Sequence, residues 1–62
     1  MTVAMPIKTA LAIIRRLGMK AGHRDGEYRV NYPGGTEATA YYTTDADDAI
    51  GTATEMVKRM PD

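Results

Sequence analysis

The sequence predicts one small α+β domain in the order α-β-β-β-α, a three-stranded antiparallel sheet with two helices packed on one face. Three observations predict it. Residues 27–32 and 38–43 alternate with period two between turn signals, as half-buried strands do. Two flanking segments, starting near Pro6 and Ala46, repeat apolar residues at helical spacing. Each element has a single apolar side, and burying all of them together calls for two layers.

Residues 1–5 carry no periodicity and are expected to fray. Pro6 fits the first position of a helix, where its missing N–H costs nothing. Ile7, Ala10, Leu11, Ile14 and Leu17 then share one helix face, with Lys8, Arg15 and Arg16 off it. Gly18 is a natural stop, and the two arginines sit where the helix dipole favours positive charge. In residues 19–24, Met19, Ala21 and His23 alternate with Lys20, Gly22 and Arg24. A short strand here completes a hairpin through Asp25-Gly26, a pair that tolerates the positive φ of a two-residue turn. A third strand is also what the other two need, since an isolated pair is barely stable.

In the second strand Tyr28, Val30 and Tyr32 point one way, and Glu27, Arg29 and Asn31 the other. Pro33-Gly34-Gly35 ends it. In the third strand the alternation gives Ala38, Ala40 and Tyr42 to the helix side and Thr39, Tyr41 and Thr43 to the open side. Asp45 is placed to cap the second helix, with Asp47 and Asp48 in its acidic first turn. That helix is expected from about Ala46 to Met60, with Ala46, Ala49, Ile50, Ala53, Val57 and Met60 inward and Pro61 ending it. Gly51 weakens it by propensity, and reads either as a close approach or as a tolerated defect.

Residues 1–62 hold one domain, and a chain this size buries only about 60% of its unfolded surface. The absence of cysteine excludes disulfides and cysteine-ligated zinc. The core must stand on packing alone or be helped by a second copy. The longest apolar run, Leu11-Ala12-Ile13-Ile14, falls far below the about 20 residues of a membrane span. Arg15-Arg16 interrupt any signal-peptide core, so a cytoplasmic protein with no membrane partner is expected. Net charge is zero but unevenly laid out: six Lys/Arg against two acids in residues 1–31, a net +4, and the reverse in residues 32–62, a net −4. Internal pairing, attraction between copies or a basic face for an anionic partner would each use that split.

The residues offer little catalytic chemistry. His23 is the only histidine, and neither a partner nor a pocket for it is legible. Asp45, Asp47 and Asp48 lack the glycine and distal glutamate of a calcium loop. Pro33-Gly34-Gly35-Thr36 neither opens a helix nor precedes a P-loop lysine. With no Ser and no Cys, serine and cysteine nucleophiles are excluded. No enzyme activity, cofactor or metal is expected. The open sheet face is the better candidate, with Lys20, Arg24, Arg29, Asn31 and Tyr41 as its binding residues beside Thr39 and Thr43. Cations around an exposed tyrosine can hold a nucleic-acid strand by stacking and phosphate contacts. The same residues also suit the plain solvated face that any such sheet must have.

Asp25-Gly26-Glu27-Tyr28-Arg29-Val30, the Pro/Gly turn, the alanine- and threonine-bearing strand and the helix opening at Asp45-Ala46-Asp47-Asp48-Ala49 resemble the N-terminal domain of HicB-type antitoxins over residues 25–56. By element order alone the chain is similar to HicA-type toxins, which have a double-stranded-RNA-binding-like fold and cleave RNA. Their functional histidine follows Gly-Ser in a strand. The matching place here is Gly26-Glu27-Tyr28, so the resemblance does not carry that activity over. The expected function is a non-enzymatic binding module with a protein partner, including its own copy through an unpaired sheet edge. Nucleic-acid binding on the open face is the alternative, and a HicA-like RNase using His23 is third.

Overall fold

The structure is a computed structural model that describes residues 5–60; the frayed start expected over residues 1–4 and the stop at Pro61 lie outside them. Helix α1 (Ile7–Arg16) is followed by strands β1 (Lys20–Arg24) and β2 (Glu27–Asn31). A 3-10 turn (Glu37–Thr39), strand β3 (Tyr41–Thr43) and helix α2 (Ala46–Arg59) complete the order. The sheet is antiparallel in the order β1-β2-β3, so β1 and β3 are its edges. Both helices pack on one face of it and against each other.

Helix α1 starts one residue later than expected, with Pro6 as its cap and Pro6 O accepting from Ala10 N at 3.1 Å. It ends in a Schellman motif. Gly18 N donates to Arg15 O (3.0 Å) and Met19 N donates to Ile14 O (3.3 Å). Gly18 takes φ +93°, and the buried side chains of Ile14 and Met19 flank the motif. The β1–β2 hairpin closes through Asp25 (φ +53°) and Gly26 (φ +79°), both left-handed as a type I′ turn requires. Its register pairs Ala21 with Val30 and His23 with Tyr28 on the helix side, and Gly22 with Arg29 on the open side.

The core joins Ala10 and Ile14 of α1, Met19, Tyr28 and Val30 of the sheet side, and Ala49, Ala53 and Met56 of α2. Three alanines let the helices lie close to each other and to the sheet. Met5 packs against this core, unlike the frayed residue expected. Helix α2 departs from expectation in its last turns. Met56 is buried, whereas Val57 and Met60 are more than a third exposed. The inward line runs Ala49, Ala53, Met56, the i, i+4, i+7 spacing of one face, and Val57 lies a quarter-turn off it. At Met60 the backbone has already left the helix. Asp45 caps α2 as expected, its Oδ1 accepting from Asp47 N at 3.0 Å.

Strand β3 differs most. Residues 37–39 form a 3-10 turn, and only Tyr41–Thr43 pair with β2. Val30 faces Tyr41, Arg29 faces Tyr42 and Tyr28 faces Thr43. Tyr41 and Thr43 therefore lie on the helix side and Tyr42 on the open side, the reverse of the sequence expectation. The run Tyr-Tyr-Thr-Thr has the same hydropathy after a one-residue slip, so alternation could not fix which tyrosine points where.

An added Cβ at Gly18 meets nothing within 4 Å, so only its left-handed backbone resists substitution. Gly18→Ala should lower unfolding free energy by about 1 kcal/mol, measured by denaturant titration, with the fold kept.

Candidate functional site

On the open face the centre is Arg29, and it is not free. Its Nη2 donates to Glu37 Oε1 at 2.9 Å and its Nε to the Tyr42 hydroxyl at 3.1 Å. That hydroxyl in turn donates to Glu37 Oε2 at 2.8 Å. The three side chains close a ring, with the guanidinium 6.0 Å from the centre of the Tyr42 ring. The Tyr42 hydroxyl first, and Arg29 second, hold the Glu37 carboxyl below the ordinary carboxylate range. The bonds to Tyr42 and Glu37 raise Arg29. The ring also ties the basic half of the chain to the acidic half. Glu37 was not legible as a partner for Arg29, because only the 3-10 turn brings it over the sheet.

Of the other expected binding residues, Lys20 and Arg24 are exposed on the open side. Arg24 lies 3.8 Å from Asp25, with both side chains almost fully solvated. Lys20, Arg15 and Arg29 line a concavity of about 660 Å³ with Met19, Gly22 and Pro33 and no carboxylate.

Tyr41 is not on the open face, and Asn31, which pairs with Lys20 on that side of the sheet, is sealed there. Asn31 is 2% exposed. Its Oδ1 accepts from Tyr32 N (2.8 Å) and Thr39 Oγ1 (2.6 Å), and its Nδ2 donates to Thr36 O (2.9 Å). The turn over residues 33–39 folds down onto it, which is why a residue that alternation assigns to solvent is sealed. Gly35 sits against this amide so closely that a Cβ would overlap Asn31 and come 2.7 Å from Thr39 Oγ1. Tyr41 instead crosses to α2 and donates its hydroxyl to Asp48 Oδ2 at 2.5 Å. The bond to Asp48 raises the Tyr41 phenol, and Asp48 is held below the ordinary carboxylate range by Tyr41 and then Thr43. Asp48 thus binds β3 to α2 in addition to serving the helix N-terminus.

Between β3 and α2 lies a groove of about 550 Å³. Tyr32, Ala40 and Tyr41 form one wall, and Asp48, Gly51, Thr52, Glu55, Met56 and Arg59 the other. Gly51 opens into it, and an added Cβ there meets nothing within 4 Å. The fold itself therefore has no packing need for glycine in the middle of this helix.

The two sheet edges differ. A two-residue hairpin makes Arg24–Glu27 a hydrogen-bonded pair, and ladder alternation then turns the backbone groups of Ala21 and His23 outward from β1. Arg15 Nη2 reaches around and donates to Ala21 O at 2.8 Å, closing part of that edge. The same alternation turns the N–H and C=O of Tyr42 outward from β3, beside the groove. His23 packs edge-on against Tyr28, ring centres 4.6 Å apart, on the helix side. Among the described residues no group of three or more His, Asp or Glu side chains could hold a metal ion, and no helix is long and apolar enough to cross a membrane.

No protein-family model matches the chain, and no curated protein or solved structure matches it either.

Two outcomes are expected. Followed by NMR, the Glu37 carboxyl should titrate below the ordinary 4.5 and move back toward it in Tyr42→Phe. Because its folded value is depressed, the ring's contribution to stability is complete above about pH 4.5 and is lost as pH falls through the lowered value. An unchanged titration in the variant would mean that the ring does not form in solution. Gly51→Ala should stabilise the fold by about 1 kcal/mol, since it removes a helix-interior glycine and its Cβ meets no obstacle.

Proposed function

We propose that this chain is a non-enzymatic protein-binding module that docks its partner along the β3–α2 side. The observation that carries this reading is Gly51. A mid-helix glycine costs about 1 kcal/mol relative to alanine, and none of the described residues comes within 4 Å of a Cβ added there. That space belongs to the groove beside the outward backbone groups of β3, where a docked chain can combine main-chain hydrogen bonds with side-chain contacts. The β1 edge suits docking less well, because Arg15 already takes one of its carbonyls.

Nucleic-acid binding is the second reading, favoured by the carboxylate-free concavity of Arg15, Lys20 and Arg29 on the other side of the sheet. Against it, Arg29 is neutralised by Glu37, and neither Tyr41 nor Asn31 is available on that face.

A photo-crosslinking residue placed at position 51 or at position 22 separates the two readings, since an added Cβ meets none of the described residues within 4 Å at either site. Protein adducts from position 51 in cells, with none from position 22, are expected. Adducts to RNA or DNA from position 22, with none to protein from 51, would replace the first reading by the second.

A further inference from the structure

The residues that α2 presents to the groove carry an order that a random partner would not require. Asp48, Thr52, Glu55 and Arg59 follow one another at spacings of four, three and four, a single line along the helix. The line is mirror-ordered in charge about the midpoint between Ala53 and Thr54. Asp48 mirrors Arg59, Gly51 mirrors Met56 and Thr52 mirrors Glu55.

We propose that the occupant of the groove is a second copy of this chain, seated by two-fold symmetry with the two α2 helices antiparallel. This rests on the protein-docking reading above and names its partner. In that arrangement Asp48 of each copy meets Arg59 of the other, and Thr52 of each can donate its hydroxyl to Glu55 of the other. Gly51 carries no side chain on this face, which lets the helices approach. The interface is isologous and closes as a dimer. A parallel pairing would set Asp48 against Asp48, Glu55 against Glu55 and Arg59 against Arg59, all repulsive. A zero net charge puts no long-range repulsion between copies. Tyr41 holds Asp48 in place from below, and Arg59 makes no ion pair with the described residues of its own chain. A contact of this extent is smaller than a standard interface, so the dimer is weak, salt-sensitive and visible at high concentration.

The test is a charge exchange read by sedimentation equilibrium over a dilution series at low salt. Wild type should dimerise reversibly, with amide shifts along α2. Arg59→Glu should weaken association by roughly tenfold or more, because both ion pairs become repulsions. Asp48→Lys should do the same. An equimolar mixture of these two variants should dimerise again, since each then offers the charge that the other lacks. The doubly exchanged chain, Asp48→Lys with Arg59→Glu, keeps zero net charge and should dimerise as wild type does, an outcome that the antiparallel pairing of 48 with 59 predicts and a parallel pairing does not. Should Asp48→Lys unfold through loss of its bond to Tyr41, Thr52→Lys supplies a gain: it faces Glu55 of the other copy and should tighten the dimer. A monomeric wild type at every concentration, or no rescue by the mixture of folded variants, overturns the proposal, as does no tightening by Thr52→Lys. If the chain is monomeric and position 51 still crosslinks a different protein, the docking reading stands and the self-pairing falls. If position 51 crosslinks nothing, both fall.

Discussion

At the end of β2 the carboxamide of Asn31 accepts from Tyr32 N and from the Thr39 hydroxyl and donates to Thr36 O, all in a site closed to water. A buried amide left unpaired costs about 1–3 kcal/mol, so these partners are held as a set. Among the described residues no buried side-chain nitrogen or oxygen lacks a partner. The consequence is that residues 33–39 cannot run on as strand. They fold over Asn31 as a turn and one 3-10 turn, and Gly35 is the residue small enough to lie against the amide. Pairing with β2 resumes only at Tyr41.

The position of that restart decides both faces of the molecule. With Tyr42 opposite Arg29, the open face is organised around the Arg29–Glu37–Tyr42 ring, which the 3-10 turn completes by delivering Glu37. With Tyr41 opposite Val30, its hydroxyl reaches Asp48 and joins the edge strand to α2. The groove exists because these two elements are held apart by that bridge at one end, while Gly51 leaves space between them. A slip of one residue would exchange the tyrosines, remove both bonds and place two polar hydroxyls in the wrong layers.

The small size of the chain shapes what it can do. Among the described residues the core is eight side chains, three of them alanine, and such a core supplies little stability beyond what folding needs. The termini of its helices are therefore well made: a Schellman motif ends α1 and a capping aspartate begins α2. Against this economy, a glycine inside α2 stands out as stability forgone on the one helix face that lines a groove. The same face carries acid at its start and base at its end, which also suits the dipole of the helix itself.

Much of the architecture was legible in the residues. Local chemistry is short-ranged, so Gly18, Asp25-Gly26, Pro33-Gly34-Gly35 and Asp45 mark the ends of their elements without reference to anything distant. Periodicity likewise identified both helices and β2, hence the α-β-β-β-α order and the two layers. The sequence could not say which way β3 faced, because Tyr41-Tyr42 and Thr43-Thr44 look alike to a period-two pattern. It also read Asn31 as exposed on the open face, where it is sealed, and named no partner within the chain for Arg29. Those outcomes depend on contacts between residues five to thirteen positions apart, and only the folded turn over Asn31 brings Thr36, Glu37 and Thr39 to where they bind. What the sequence by itself determined was the set of elements, since each is fixed by its own neighbours. The tertiary structure alone decided their facing, and with it the site, since facing is set by partners that meet only after the chain has closed.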